Sequence, residues 1–460
     1  MKSANNAVIL AEQLETMGID VATISWGGES YELIKNNSDL FTFHGSHEDV
    51  VKSVEDNHFN NDQLVEEEIN LERKLGCLKK YIFADRFLCN CFHEDVYTNN
   101  LVTDDVRLAY IIHWARYLEN IIQRYNVYSI ISYTSSSAPM LLAADLVRLH
   151  GGCYTQMVPT RLPDRLAFCD GYNEEDLIKL NQSVSIDEIT NTLKNTAKKD
   201  PTWAKTDYSP AKMVTILRKG FDIITGVDSD IKKIKSPFYF DLSLTDRITN
   251  YLVKRWWDFK GFAYNNYDMN ENHISYFMHV VPEAAVSVHA QYYEDEYSII
   301  VNIARSLPPG VALYVKDHPH MQWKRDRKLY FKIKRIPSVR ILAPDIPVTS
   351  FVENSLICIT KTGTAALQAF WAGRPSLVFG DAYYNHANGI HRFNEPMPLL
   401  QRSIYDLIGK VVDKDDQFSF MEYLLQNSLD ISAEKFLGSE GLSRSDATLM
   451  ISELRNAGRL

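Results

Sequence analysis

A regular alternation of short apolar segments with helical patterns begins near residue 274 and constrains the fold more than any other feature. The apolar segments lie at 274–281, 311–315, 339–342, 356–360 and 376–379. Helical patterns separate several of them, and the pattern at 293–307 repeats apolar side chains on one face before Pro308 and Pro309 end it. Short strands that alternate with helices predict a parallel sheet with helices on both faces, because parallel strands need long crossover connections.

The N-terminal half shows a weaker form of the same pattern. We predict a strand at 127–133, a hydroxyl-rich loop at 134–137 and a helix at 139–150. The sequence opens with a helical pattern at 6–18 and a strand pattern at 20–26, which is the second half of a strand–helix–strand unit. Either the first strand of that unit is absent, or the sequence starts after it. The N-terminal half is therefore predicted to hold a second Rossmann-like domain.

Charge and cysteine content exclude some classes of protein. The chain has 49 Lys and Arg against 59 Asp and Glu, and a net charge of −10 argues against a protein that coats nucleic acid. The six cysteines are too scattered for a disulfide framework, which predicts a reducing, cytoplasmic compartment. Cys89, Cys91 and His93 lack the further ligands of a metal site, so buried thiols are the favoured interpretation. We expect no bound metal and no cofactor.

Polar side chains cluster where three of the predicted C-terminal strands end. Glu283 follows the strand at 274–281, and its carboxylate is a candidate general base. Lys316 and His318 follow the strand at 311–315, with Pro319 holding the backbone of His318 extended. The carboxyl ends of parallel strands lie at one edge of the sheet, so these side chains are expected to converge.

The third strand end suits a phosphate group. Lys361, Thr362, Gly363 and Thr364 lie between the strand at 356–360 and a helix, where free N–H groups and hydroxyls bind anions. The Walker and dinucleotide-binding glycine motifs are both absent. A simple N-terminal cap by threonine is the alternative for this segment, just as Glu283 suits the start of a helix equally well.

At these same residues the sequence resembles the bacterial capsule polysaccharide biosynthesis proteins, which include Kdo transferases. The resemblance rests on VPEAA at 281–285, SLPPGVALYVKDHP at 306–319, TKTGTAALQA at 360–369 and WAGRPSLVFG at 371–380. It is weaker at 133–165, where TRLPDR occurs at 160–165. Val281 stands where the family pattern leads us to expect glutamine, so the resemblance leaves the donor open.

The resemblance implies a GT-B-like architecture, in which two Rossmann-like domains with parallel sheets face a cleft. The implied boundaries are an acceptor-side domain at 1–255 with helical insertions, a nucleotide-sugar-binding domain at 256–420 and a helical tail at 421–460. It implies glycosyl transfer without a metal, with Glu283 and His318 as catalytic residues. The implied donor-binding residues are Lys316, Pro319, Lys361, Thr362, Gly363, Thr364 and Gln368. The implied acceptor or cleft residues are Ser135, Ser136, Arg161 and Arg165.

The function that follows is transfer of a sugar from a nucleotide-sugar donor, such as CMP-Kdo, to a glycan or lipid-linked acceptor of a surface polysaccharide. Three alternatives stay open: a CDP-glycerol-type polyol-phosphate transferase, a sugar-nucleotide 2-epimerase and a non-catalytic GT-B-shaped scaffold. Trp256, Trp257 and the basic residues of 324–335 suit peripheral contact with the inner face of a membrane. Their alternative interpretations are packing at a domain interface and a solvated helix face, respectively.

Overall fold

The computed structural model describes residues 2–56, 61–85, 88, 103–133, 135–196, 264–281, 283–321, 325–432, 435 and 441–460. Several residues singled out above lie outside these ranges, namely Cys89, Cys91, His93, Thr134, Trp256, Trp257, Pro282 and Lys324. Within the described residues, no helix is both long enough and apolar enough to cross a lipid bilayer. Contact with a membrane surface stays a prediction.

The helices of the N-terminal half are α1 (Lys2–Thr16), α2 (Glu29–Asn36), α3 (His47–Asp56), α4 (Asn61–Leu75), α5 (Lys79–Ala84), α6 (Asp104–Arg124), α7 (Ala138–Leu149) and α8 (Ile186–Thr196). Those of the C-terminal half are α9 (Ala284–Ser287), α10 (Glu296–Arg305), α11 (Arg327–Lys334), α12 (Val348–Glu353), α13 (Ala365–Trp371), α14 (Leu400–Leu407), α15 (Lys414–Gln426) and α16 (Arg444–Asn456). The predicted helix at 139–150 thus agrees with α7. Pro139 fits its first turn, where the missing N–H of proline costs nothing.

The strands are β1 (Ala22–Ser25), β2 (Phe43–Ser46), β3 (Ser129–Ser132), β4 (Cys153–Pro159), β5 (Arg165–Asp170), β6 (His273–Phe277), β7 (Ala312–Lys316), β8 (Val339–Leu342), β9 (Cys358–Thr360), β10 (Ser376–Val378), β11 (Ile390–Arg392) and β12 (Ser428–Asp430). Strands β1 and β2 form a parallel pair. A four-stranded sheet has the order β12-β5-β4-β3, with β3 and β4 parallel and the other neighbours antiparallel. The predicted α/β class is confirmed.

The C-terminal half is built on a six-stranded sheet in the order β11-β10-β9-β6-β7-β8, and every neighbouring pair is parallel. Counted along the chain from β6, this is the strand order three-two-one-four-five-six of the doubly wound Rossmann sheet. Strands β6, β7 and β8 follow one another across the sheet in one direction, and β9 then pairs with the opposite side of β6. The direction of winding therefore reverses between β6 and β9, and ligands of such sheets bind outside the carboxyl ends of the strands at this point.

The strand pattern at 274–281 extends beyond the strand itself. Strand β6 ends at Phe277, so His279 lies closer to the strand end than Glu283 does. Lys316 is likewise the last residue of β7 and does not follow it. Apolar content alone misplaced the end of β6, because the buried residues Met278 and Val280 continue the apolar run after the strand pairing has stopped.

Apolar packing joins the two halves of the molecule. One cluster lies within the N-terminal half and includes Ile111, Leu142 and Tyr154, while another supports the six-stranded sheet. A third cluster is shared: Val158 and Leu177 of the N-terminal half pack with residues of α13, β10 and α15. Removing this apolar surface from water favours contact between the halves by about 25 cal/mol per Å².

The chain returns to its N-terminal half after the six-stranded sheet is complete. Strand β12 pairs antiparallel with β5, and α16 packs against α1. The segment at 421–460, which was expected to be helical, therefore contains a strand as well as α16. The predicted domain boundaries at 255, 256 and 420 stay a prediction.

Candidate active site

The candidate site lies at the reversal point of the six-stranded sheet, beyond the carboxyl ends of β6 and β9. The ring nitrogen Nε2 of His279 accepts a hydrogen bond from the backbone N–H of Thr362 at 3.3 Å and lies 3.3 Å from Oγ1 of Thr360. Burial lowers the pKa of His279 to about 3, with the Lys361 ammonium acting in the same direction. A neutral ring is what this contact requires, since Nε2 can accept a hydrogen bond only when unprotonated.

Gly363 closes the turn that follows β9. Its backbone N–H donates to Oγ1 of Thr360 at 3.1 Å. A Cβ atom at this position would lie 2.5 Å from Oγ1 of Thr360 and 3.1 Å from Nε2 of His279. The structure supplies a packing reason for this glycine, because any side chain would collide with the two residues that shape the turn.

Beneath this turn lies a buried charge pair. Nζ of Lys361, whose side chain is 0% exposed, lies 3.1 Å from Oε1 of Glu296 and donates to the carbonyl of Glu294 at 3.1 Å. Glu296 also accepts from the backbone N–H of His279 at 3.0 Å and from the Tyr276 hydroxyl at 2.6 Å. Burial acts to raise the pKa of Glu296, but the Lys361 and Arg325 cations outweigh it and hold that pKa below its usual value. The carboxylate therefore ties β6, α10 and the residue after β9 together.

A second buried pair holds the end of β7. Asp317 accepts from the backbone N–H of His318 at 2.8 Å, from Nε of Arg325 at 3.2 Å and from the Tyr330 hydroxyl. Arg325 also donates to the carbonyl of His279. Burial raises the pKa of Asp317, whereas Arg325 and these hydrogen bonds oppose the rise. The backbone of His318 is thereby fixed relative to β6.

The predicted C-terminal site residues separate into buried and half-buried groups. Lys316 is buried and donates to the carbonyl of Pro344 at 2.8 Å, and Lys361 is buried beside Glu296. Both ammonium groups therefore lie under the sheet edge instead of facing solvent. Half-buried residues form the accessible edge, namely His318, Pro319, Thr362, Gly363, Thr364 and Gln368.

Glu283 lies apart from the end of β6. It is exposed, and its carbonyl accepts the N–H groups of Val286 and Ser287 at 2.9 Å at the start of α9. The segment that follows is nonetheless joined to the site, because Oγ1 of Thr362 donates to the carbonyl of Ala285 at 2.7 Å. Thr364 begins α13 without a capping hydrogen bond from its side chain.

The predicted acceptor residues are distributed over the N-terminal half. Ser135 is fully buried, with its hydroxyl 2.8 Å from that of Tyr154. Ser136 is half-buried, and Arg161 is exposed with a left-handed φ of 63°. Arg165 starts β5 and donates to Glu188 at 2.5 Å. Ser135 thus makes its contact within the N-terminal half, whereas Arg165 also donates to the carbonyl of Ser428 on β12 at 3.5 Å.

His279, Glu296 and Arg325 were not predicted from the sequence. His279 could have been found from its place after β6, and Glu296 from its position next to the Asp295 cap of α10. Arg325 had no local signal, since it lies in a basic stretch that is typical of solvated helices. Among the described residues, no three His, Cys, Asp or Glu side chains are grouped so that they could hold a metal ion.

Residues 251–398 match the family model described as capsule polysaccharide biosynthesis protein. This segment, called the capsule-synthesis segment below, is similar to the proteins of that family. The match covers less than half of the chain, but it contains the strands from β6 to β11 and the site residues of the C-terminal half. The resemblance that the sequence motifs indicated is confirmed over this capsule-synthesis segment. No curated protein matches the chain as a whole.

Solved structures resemble the chain only loosely. The β-Kdo 2,7-transferase of KpsC from Thermosulfurimonas dismutans is 12% identical, with a TM-score of 0.34, over 74% of this chain and 90% of that one. The UDP-GlcNAc 2-epimerase of Methanocaldococcus jannaschii is 9% identical, with a TM-score of 0.30, over 98% and 96%. HepE of Anabaena, solved with UDP and glucose, is 12% identical, with a TM-score of 0.29, over 99% and 96%. Similarity this low does not distinguish transferases from epimerases.

Proposed function

We propose that the protein is a glycosyltransferase of surface polysaccharide synthesis, which moves a sugar from a nucleotide-sugar donor to a glycan or lipid-linked acceptor. The proposal rests on one observation: within the capsule-synthesis segment, the polar turn that follows β9 lies at the reversal point of a doubly wound parallel sheet. Such sheets bind nucleotides at this point, because strand ends and connecting loops open a crevice there.

The arrangement suits the departure of a nucleotide phosphate. His318 and the backbone at 362–364 lie at the accessible edge, while the buried pairs Glu296–Lys361 and Asp317–Arg325 hold that edge in place. Donors that are fixed in advance stabilise developing negative charge without reorganising during the reaction. In this proposal, His318 and the Thr364 hydroxyl stabilise the leaving phosphate without the help of a metal ion.

Nucleotide binding is the first test. We expect one of CMP, CDP, UDP and GDP to raise the melting temperature, since a ligand at 100 times its dissociation constant stabilises by about 2.7 kcal/mol. His318→Ala should lose at least 10-fold in affinity and retain the melting temperature of the unliganded protein. His391→Ala is the matched control, because His391 is an exposed histidine on β11 of the same sheet. No stabilisation by any of the four would contradict the proposal and favour a scaffold.

Product analysis then decides among the reactions. The protein is incubated with CMP-Kdo, UDP-N-acetylglucosamine or CDP-glycerol and with oligosaccharides prepared from capsule, in buffer that contains EDTA. The proposal requires an acceptor mass that increases by one sugar. An acceptor that gains phosphorus would identify a polyol-phosphate transferase, and an altered free nucleotide sugar without acceptor would identify an epimerase.

A further inference from the structure

A buried histidine and a carboxylate meet where the two halves of the molecule pack together. His289 follows α9 in the C-terminal half and is only 7% exposed. Its Nε2 lies 3.8 Å from Oε1 of Glu174, which follows β5 in the N-terminal half. Gln156 holds that carboxylate by donating from Nε2 at 3.1 Å, and its own Oε1 accepts the N–H of Ser135 at 3.3 Å. The carboxylate position is therefore set by the sheet of the N-terminal half.

The other ring nitrogen of this histidine has no hydrogen-bond partner among the described residues. Nδ1 of His289 is buried without one, and the same holds for Oγ of Ser287, two residues earlier, and for Oγ of Ser137 at the start of α7. Buried polar atoms are nearly always hydrogen-bonded in folded proteins, since an unpaired one costs about 1–3 kcal/mol. These three atoms come from both halves, and each has room in its hydrogen bonding for water or a polar ligand.

The chemical state of the imidazole follows from its surroundings. Burial lowers the pKa of His289, and the Glu174 carboxylate opposes this without reversing it. A carboxylate facing Nε2 favours the tautomer with its proton on Nε2, which leaves an unshared electron pair on Nδ1. Among the other nearby charges, two carboxylates share one cation, because Arg392 pairs with Asp381 and also contacts Glu175 at 2.5 Å.

The pair lies beside the candidate active site. The carbonyl of His289 accepts the N–H of Asp381 at 2.9 Å. A Cβ atom on Gly380 would lie 2.6 Å from that carbonyl and 2.5 Å from Cγ2 of Thr362. The backbone carbonyl of His289 and the side chain of Thr362 therefore both pack against Gly380. Glu174 is the more exposed member of the pair, with 19% of its side chain accessible to solvent.

We propose that His289 is the general base of the transfer and that Glu174 is the positioning residue which orients it. The inference rests on the proposed function. Nδ1 takes the proton of an acceptor hydroxyl while the hydroxyl oxygen bonds to the anomeric carbon of the donor sugar. The bond from that carbon to the phosphate oxygen breaks, and its electron pair leaves with the nucleotide. A carboxylate behind a histidine stabilises the imidazolium that forms, as in hydrolase triads.

This assignment replaces the sequence-based choice of Glu283 as the base in this step. Glu283 is exposed at the opposite end of the same short segment, whereas His289 is buried and its backbone packs against Gly380, as Thr362 does. A general base works best in a partly dry environment with its basic atom directed at the acceptor. Substitution distinguishes Glu283 from His289, because only removal of the true base lowers turnover while nucleotide binding stays intact.

The experiment uses full-length protein in four forms: wild type, His289→Asn, Glu174→Gln and His386→Gln. His386 is the matched control, since it is a half-exposed histidine whose Nε2 lies 2.9 Å from Asp176 of the same loop. Nitrogen-15 NMR of labelled histidine is expected to show His289, assigned by its loss in His289→Asn, with Nδ1 unprotonated at pH 7. A protonated Nδ1 would overturn the proposal without any substrate.

Turnover is measured with the donors and capsule oligosaccharides named above. His289→Asn should lose 100- to 10,000-fold in kcat, the usual contribution of a general base, with nucleotide affinity unchanged. Glu174→Gln should move the acid limb of the kcat/KM profile to lower pH, because loss of the negative charge lowers the pKa of the imidazole. His386→Gln should behave as wild type.

The outcomes separate this inference from the proposed function. Full turnover by His289→Asn, or an unmoved acid limb in Glu174→Gln, would overturn the base assignment alone. A wild-type protein that binds no nucleotide and transfers no sugar would overturn both. Loss of nucleotide affinity in His289→Asn would assign the residue to donor binding and contradict its role as base.

Discussion

At the scale of single residues, buried charges shape the candidate site more than exposed ones do. Glu296 faces Lys361 and accepts hydrogen bonds from Tyr276 and the backbone of His279. Tyr276 and His279 lie at the end of β6 and Lys361 follows β9, so this carboxylate on α10 joins two strand ends to a helix. A buried ion pair contributes little net stability, but loss of one member leaves an uncompensated charge in a dry environment.

Glu296→Gln should therefore destabilise the protein by about 3–5 kcal/mol, because Lys361 and Arg325 lose the carboxylate that balances them. Urea denaturation at pH 7 measures the change. Glu353→Gln, at an exposed position at the end of α12, is the control and should change stability by less than about 0.5 kcal/mol. If Glu296→Gln lowered stability by less than about 1 kcal/mol, Glu296 and Lys361 would not form their buried ion pair in solution.

At the scale of elements, a short turn after β9 determines the shape of the site. The turn is held by Thr360, whose hydroxyl accepts from Gly363, and by His279, which accepts from Thr362. Helix α13 follows the turn without a connecting loop, since its N-cap residue, Thr364, comes directly after Gly363. The exact path of the backbone at 362–364 depends on the absence of a side chain at Gly363.

Gly363→Ala should open this turn, since the new Cβ would lie 2.5 Å from Oγ1 of Thr360. We expect a loss of about 1–3 kcal/mol in stability, the usual cost of overpacking, together with weaker nucleotide binding. Thermal melting with and without nucleotide measures both effects. Gly441→Ala is the matched control, because its nearest neighbour would be 3.9 Å away. Equal affinity in the two variants would contradict the role of the turn.

At the scale of the whole molecule, shared apolar packing makes the two halves depend on each other. Phe370 of α13 belongs to the cluster that also contains Val158 and Leu177, and its ring lies 5.5 Å from that of Phe420. The Tyr383 hydroxyl donates to the carbonyl of Thr160 at 2.5 Å across the same interface. Large apolar interfaces of this kind suppress relative motion of domains.

Phe370→Ala should cost about 3–5 kcal/mol, because it removes a fully buried ring from the shared cluster. Both halves should lose stability together, so circular dichroism and tryptophan fluorescence should report the same urea midpoint. Phe83→Ala, at a ring that is 59% exposed in the N-terminal half, is the control. Two separate transitions in Phe370→Ala would show that the halves unfold independently.

The sequence by itself determined the repeated strands and helices of the C-terminal half, and with them the sheet edge at which His318 and Thr362 lie. This was possible because periodicity is local: a strand and the residue that ends it are neighbours in the chain. Family motifs added the capsule-synthesis assignment, which the match over 251–398 confirmed.

Only the tertiary structure decided which polar groups are buried and which residues meet. It placed Lys316 and Lys361 under the sheet edge, paired β12 with β5, and brought His289 to Glu174. These contacts join residues that are far apart in the chain, so no local pattern encodes them. Their positions follow from how strands are ordered and how apolar faces are covered, which is settled only when the whole chain packs.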